Sequence, residues 1–359
     1  MHSTFSLRAI CALALLLAAT AQAGTTPQPD ETESEHWYNW TTDGVRHFVY
    51  EVGPPGGTSD PVVVLHGGWG AEHGYLVKPL LPVAAKYRLV FYDQRGSLRT
   101  PAESSTITLG RLVEDLEELR VTLGQEKLTL VTHSMGSALA YAYLHKYPDR
   151  VRGVVLVSAV LPASWAQPVN MELVREVWPD ADASVFEQAA ASFFNESVPN
   201  RFLLEAEKAG LIPESMKGLP PGELDLMGVL RGREKTRAWR IQFAMVNSCT
   251  GGNWREMDGG MAFYNQAAAD SILADKDYAS LASAFWPALK SYPGPIRLIM
   301  GTCDYVDFGP RVWPRLVEHI PDGKLSIVPS AGHAVWLDQP ELLTKELFSA
   351  LADIHEPGR

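Results

Sequence analysis

Lysines and arginines form no cluster anywhere in the 359 residues, and acidic side chains outnumber basic ones 42 to 31, for a formal net charge of -11. A phosphate-binding face needs a surplus of Lys and Arg, so this balance argues against a nucleic-acid partner. The apolar stretch from Ala9 to Ala19 falls well short of the roughly 18 to 20 residues a membrane-spanning helix needs. No internal repeat and no low-complexity tract interrupts the pattern, and cysteine is scarce, with only three in the chain.

The short apolar stretch follows Arg8 and is followed by Ala21-Gln22-Ala23 before Gly24. Positive, apolar, then small residues is the order of a signal peptide, with cleavage expected after Ala23 and no membrane span in the mature chain. Cys11 lies at the start of the apolar run, where a lipid-anchoring cysteine is not expected. The mature protein then keeps Cys249 and Cys303. In an oxidising compartment the two form one bridge or stay as two buried thiols, and sequence leaves both open.

Past a polar lead-in from Gly24 to about Glu35, short apolar runs alternate with helical patterns. Strands are expected at 46–52, 61–65, 87–92, 127–132, 151–160, 295–300 and 324–328, several of them continuously apolar as in a parallel sheet covered on both faces. Between Thr108 and Gly124, Leu109, Leu112, Val113, Leu116, Leu119 and Leu123 recur at helical spacing. The alternation predicts a doubly wound, mostly parallel α/β sheet. It breaks between 161 and 293, where helical patterns and Pro-Gly punctuation replace strands. The expected organisation is a signal peptide at 1–23, a core at 24–160 and 294–359, and a helical cap at 161–293 over the strand ends, where ligands bind in such sheets.

The strand ending at Val131 runs through Thr132-His133-Ser134-Met135-Gly136 into a helical pattern, which is strand, tight turn and helix with a serine at the turn. Small residues two before and two after the serine allow the sharp elbow that exposes its hydroxyl, and Thr132 stands where Gly is commoner. A serine needs a base, and the base needs a third group to hold its tautomer. Two later strands end in Gly301-Thr302-Cys303-Asp304 and Ser330-Ala331-Gly332-His333, the chain order Ser, acid, His. Ser134 is the candidate nucleophile, His333 the base and Asp304 the orienting acid, with Asp307 as rival acid. His145 and His319 lie in helical patterns and read as packed or solvated.

Acyl transfer puts negative charge on an oxygen that two backbone amides must meet. Met135, after the nucleophile, is one expected donor. Gly68, in His66-Gly67-Gly68-Trp69-Gly70 after the early strand, is the other, with Trp69 as rival. Asp nucleophiles of dehalogenation or epoxide opening do not fit an elbow that carries Ser134. A binding protein that keeps the fold without turnover would leave this whole set unused.

That glycine loop, the turn Asp93-Gln94-Arg95-Gly96-Ser97 and the helix Thr108-Leu109-Gly110-Arg111-Leu112-Val113-Glu114-Asp115-Leu116-Glu117-Glu118-Leu119-Arg120 together resemble the proline iminopeptidase branch of the α/β-hydrolases. That branch pairs an HGGPG loop, a DQRG turn and an LVxDxExLR helix. The resemblance covers the core on both sides of the insertion. It implies an α/β-hydrolase fold with a helical cap, the Ser134, Asp304, His333 set, no cofactor, and release of an N-terminal residue, often proline, from small peptides. Three departures bear on substrate. Trp69 replaces Pro, Leu98 replaces a Gly, and Phe243, in Ala238-Trp239-Arg240-Ile241-Gln242-Phe243, stands where a cap Glu holds the substrate amine. Glu256 and Asp258 are the nearest substitutes, against a reading of both as solvated surface. A small apolar acyl compound, cleaved by an esterase, lactonase or amidase, is the alternative substrate.

Overall fold

The computed structural model describes residues 35–54, 60–163, 171–180, 198–220, 223–249, 254–256, 265–306 and 309–356. The N-terminal segment, Asp258 and Asp307 lie outside these residues.

Eight strands are present: β1 Glu35–Thr42, β2 Val45–Val52, β3 Val62–Leu65, β4 Leu89–Tyr92, β5 Leu128–His133, β6 Val151–Val157, β7 Ile296–Gly301 and β8 Gly323–Val328. They form one sheet in the order β1-β2-β4-β3-β5-β6-β7-β8. The β1/β2 and β2/β4 pairs are antiparallel and every other pair is parallel. β3 shows why the middle strands read as continuous apolar runs. Successive side chains point to opposite faces, so Val62 and Val64 enter one core and Val63 and Leu65 the other.

Helices α1 (Gly74–Ala84) and Pro340–His355 cover the first face, burying Leu76, Leu80, Leu343 and Leu347. Helices α2 (Leu109–Thr122) and α3 (Gly136–Lys146) cover the second with Leu112, Leu116, Leu139 and Tyr143. Thr108 caps α2, its side chain accepting from Arg111 N.

Two elements depart from the sequence expectation. β1 lies where no strand was expected. Its half-exposed alternation gives a weak apolar signal, and the hairpin turn Asp43-Gly44, both residues at positive φ (47° and 72°), is what pairs it with β2. β6 ends at Val157 rather than at 160, because Ser158 turns to φ 47° and the segment beyond it bonds to side chains: Ser137 Oγ accepts from Val160 N, and Tyr141 Oη donates to Val160 O.

Between β6 and β7 the described residues hold helices and no strand. The longest, Gly232–Asn247, buries Ala238, Ile241, Ala244 and Met245 in the same core cluster as α1, and Phe285–Ser291 packs Phe285 against Tyr141 of α3. Strand order reverses around β3, with β4 on one side and β5 on the other. The carboxyl ends of these strands open into the crevice that binds ligands in doubly wound sheets.

Candidate active site

β5 ends at His133 and α3 begins at Gly136, so Ser134 sits in the turn between them at φ 52°, a conformation uncommon for any residue with a side chain. The turn is held from three sides. Ser134 N donates to Val157 O (3.2 Å), while Ser137 N and Ser137 Oγ both donate to Ser134 O (2.9 and 2.6 Å). Gly136 is required for close approach: a Cβ there would lie 2.3 Å from Leu65 O, so any side chain would push α3 off β3. Ser134 is partly exposed, whereas Ser137 is fully buried and committed to the backbone.

Asp304 and His333, 29 residues apart, meet at the ends of β7 and β8. His333 Nδ1 lies 3.0 Å from both carboxylate oxygens, and both side chains are buried. With Nδ1–H donated to a carboxylate, Nε2 is left as the basic nitrogen. The two loops are also joined directly, Cys303 N donating to Ala331 O (2.8 Å), and Asp304 Oδ1 accepts from Val306 N (3.0 Å). His133, the neighbour of Ser134, has its ring 5.0 Å from that of His333, so the elbow and the histidine loop lie side by side.

The glycine loop reaches the same place. A Cβ on Gly67 would be 2.7 Å from Ser134 Cβ, which only glycine avoids, and Gly68 follows at φ 69°. Trp69 is buried in the same core cluster as Met135. The Asp93-to-Ser97 turn is the frame of this loop. Gln94 N donates to His66 Nε2 (3.1 Å) and Gln94 Nε2 to His66 O (2.9 Å), so His66 carries its proton on Nδ1, which donates to Gly67 O (3.1 Å). Asp93 accepts from His73 N (2.9 Å) and Arg99 Nε (2.7 Å), and Arg95 makes a two-pronged bond to Asp115 of α2 (2.9 and 2.7 Å). Paired and hydrogen-bonded in this way, the two carboxylates fix the geometry of the turn.

Three groups here escaped the sequence reading. Tyr75 and His133 link the loops, as developed below. Asp338, just past His333 in the chain, accepts from both Cys249 N (2.8 Å) and Gly332 N (2.9 Å). Cys249 is in turn joined to Cys303 by a disulfide, which decides the alternative that sequence left open and ties the segment after Gly232–Asn247 to the residue before Asp304. Only the adjacency of His133 to Ser134 was visible in the sequence.

Acidic groups in the insertion are less well placed. Glu256 pairs with Lys78 (3.3 Å) with both side chains about two-thirds exposed (65% and 68%), so it is solvated surface. Phe243 is partly buried, its ring 6.2 Å from that of Trp239. Among the described residues no group of His, Cys, Asp or Glu is arranged to hold a metal ion, and no helix is long and apolar enough to cross a membrane.

The buried histidines around the site set a pH dependence. Burial pushes His47, His66 and His133 below the ordinary imidazole value of 6.5, so the folded chain keeps them neutral. The unfolded chain protonates them below that value, so stability is complete above pH 6.5 and falls as pH drops through it, by up to about 1.4 kcal/mol per pH unit for each ring. Burial alone would raise the Asp93 carboxyl, but hydrogen bonds from His73 and Arg99 outweigh it and hold it far below the carboxylate range. Its contribution is present above the ordinary value of 3.8 and is lost below it. The thermal unfolding midpoint should hold nearly level from pH 7.5 to about 6.5 and fall from there to pH 5; a flat profile below pH 6.5 would contradict neutral burial of these rings.

A family model described as the alpha/beta hydrolase fold matches residues 60–340. The chain is 35% identical to the proline iminopeptidase of Saccharolobus solfataricus over 138 residues, 37% of this chain and 44% of that one. It is 26% identical to a probable proline iminopeptidase of Streptomyces coelicolor over 303 residues, 81% of this chain and 87% of the other. The chain spans about half the length of the curated relatives it matches at 35% identity. Among solved structures, a proline iminopeptidase-related protein of Thermus thermophilus superposes with a TM-score of 0.54 at 21% identity, covering 89% of this chain and 98% of that one. That likeness is one of fold.

Proposed function

Since this chain belongs to the α/β-hydrolase fold family, we propose that it is a hydrolase working through Ser134 and a covalent acyl-enzyme, releasing N-terminal residues from small peptides outside the cytoplasm. The observation that carries the serine mechanism is the buried Asp304–His333 pair beside the Ser134 elbow. Ser134 Oγ attacks the substrate carbonyl as His333 Nε2 takes the hydroxyl proton, and Asp304 stabilises the imidazolium. The amides of Gly68 and Met135 meet the oxygen that becomes negative. When the tetrahedral intermediate collapses, His333 returns the proton to the leaving amine. Water then repeats the sequence on the acyl-enzyme, freeing the acid and restoring Ser134.

Similarity to proline iminopeptidases supports the peptide substrate. One observation favours an ester or lactone instead. The sequence resemblance puts Phe243 where the amine-binding Glu stands in that branch, and Glu256 pairs with Lys78 at the surface. A buried ammonium without a carboxylate is costly, so a site that lacks this Glu fits a neutral acyl group better. Export is supported by the order of residues 8–24 and by the Cys249–Cys303 bridge, since disulfides persist in oxidising compartments.

The test uses protein recovered from the exported fraction, whose first residue should be Gly24. Prolyl and alanyl arylamides, with free and blocked amines, are compared with short-chain p-nitrophenyl esters. Cleavage of free-amine arylamides alone is the expected result. Turnover of esters without arylamides would replace the peptidase reading by the esterase one, and a mature chain beginning at Met1 would remove the export reading.

A further inference from the structure

A single directed chain of hydrogen bonds joins the three loops of the site. Gly67 N donates to Tyr75 Oη (2.7 Å), Tyr75 Oη lies 2.8 Å from His133 Nδ1, and His133 Nε2 lies 3.3 Å from the carbonyl oxygen of His333. The proton positions follow from the ends inward. A backbone amide can only donate and a backbone carbonyl can only accept, so Tyr75 Oη accepts from Gly67 and His133 Nε2–H donates to His333. A neutral ring with its proton on Nε2 offers a lone pair at Nδ1, and the Tyr75 hydroxyl donates to it. Every donor and acceptor in this run of hydrogen bonds has a partner.

From this geometry we infer that Tyr75 and His133 are positioning residues for the hydrolytic site, setting the spacing between the glycine loop on one side of Ser134 and His333 on the other. The inference rests on the serine mechanism proposed above. The two side chains come from α1 and the end of β5, 58 residues apart. They stand in dry surroundings, Trp336 packing against both rings at 5.9 and 4.8 Å. Burial keeps the Tyr75 phenol protonated and the His133 ring neutral, which is the pairing the chain requires. In such a medium a hydrogen bond is stronger, and leaving one end unmade is expensive, so the chain holds its length. Without the Tyr75 oxygen, Gly67 N–H and His133 Nδ1 both lose their partners, and the glycine loop is free to shift relative to the histidine. An oxyanion donor displaced by about 1 Å costs on the order of 100-fold in rate, while substrate binding in the cap is untouched.

The experiment compares kcat and KM of Tyr75→Phe, His133→Gln, the double variant, Tyr143→Phe and Ser134→Ala on the substrate the wild type turns over. Tyr143→Phe removes another tyrosine hydroxyl bond, to Glu117 (2.7 Å), away from the site, and serves as the control. Tyr75→Phe is expected to lose about 10- to 100-fold in kcat with KM within about threefold of wild type. Tyr143→Phe should keep wild-type kcat. His133→Gln, which retains an acceptor and a donor, should lose less than Tyr75→Phe, and the double variant should lose no more than the worse single change, because groups in one chain are not additive. If Tyr75→Phe fails to fold, His133→Gln carries the same comparison of kcat with KM. Wild-type kcat in Tyr75→Phe beside an inactive Ser134→Ala would overturn the positioning role alone, as would a loss confined to KM. An active Ser134→Ala would instead remove the serine mechanism beneath it.

Discussion

Ser134→Ala should abolish hydrolysis, with kcat down roughly a million-fold, the scale seen when one member of a unit-acting Ser, His, acid set is removed. Covalent labelling by a fluorophosphonate should vanish with it, while the fold survives. The expectation of an intact fold comes from the bonds that shape the elbow. Those at Ser134 itself use its backbone N and O, to Val157 and Ser137, so removing Oγ leaves the turn in place. His333→Ala should fall about as far, because the hydroxyl is then left with no acceptor for its proton. Ser137 provides the control. It is the nearest other serine, but its hydroxyl donates to Ser134 O and accepts from Val160 N, so Ser137→Ala should lower stability by about 1–3 kcal/mol, the cost of unpaired buried groups, and leave labelling intact. Labelling that persists in Ser134→Ala and disappears in Ser137→Ala would move the nucleophile.

Asp304→Asn is the second large effect, about ten-thousand-fold in kcat with little change in KM. The reason is the tautomer. His333 Nδ1 lies 3.0 Å from both Asp304 oxygens, which can only accept, so Nδ1 keeps the proton and Nε2 stays basic. An amide that turns its NH2 toward Nδ1 reverses this and leaves Nε2–H facing the serine, unable to take a proton. Asp307→Ala should keep most activity, since the carboxylate bonded to His333 is that of Asp304. An inactive Asp307→Ala beside an active Asp304→Asn would reassign the acid.

The serine elbow was legible in the sequence because its causes are local. A buried strand, a tight turn with Gly136 and an apolar helix buried from Gly136 to Leu144 occupy one stretch of about twenty residues, and each is signalled by neighbouring residues. β3 and the glycine loop behind it were legible for the same reason. β1 was not, since a half-exposed edge strand shows little apolar contrast before its Asp43-Gly44 turn. The Asp93-to-Ser97 turn was visible as a motif without its purpose, because Gln94 and Arg95 act on His66 and Asp115, residues 28 and 20 positions away.

By itself, then, the sequence determined the fold class, the alternating sheet and the candidate trio Ser134, Asp304 and His333, all of which follow from short-range pattern and from order along the chain. Tertiary structure alone decided that Cys249 and Cys303 are bridged across a separation of 54 residues, that Asp338 clamps that bridge to the histidine loop, and that Tyr75 and His133 join the loops around Ser134. A disulfide or a hydrogen bond depends on distances of a few ångströms between atoms far apart in the chain, and periodicity carries no information about such distances until the sheet has brought the strand ends together.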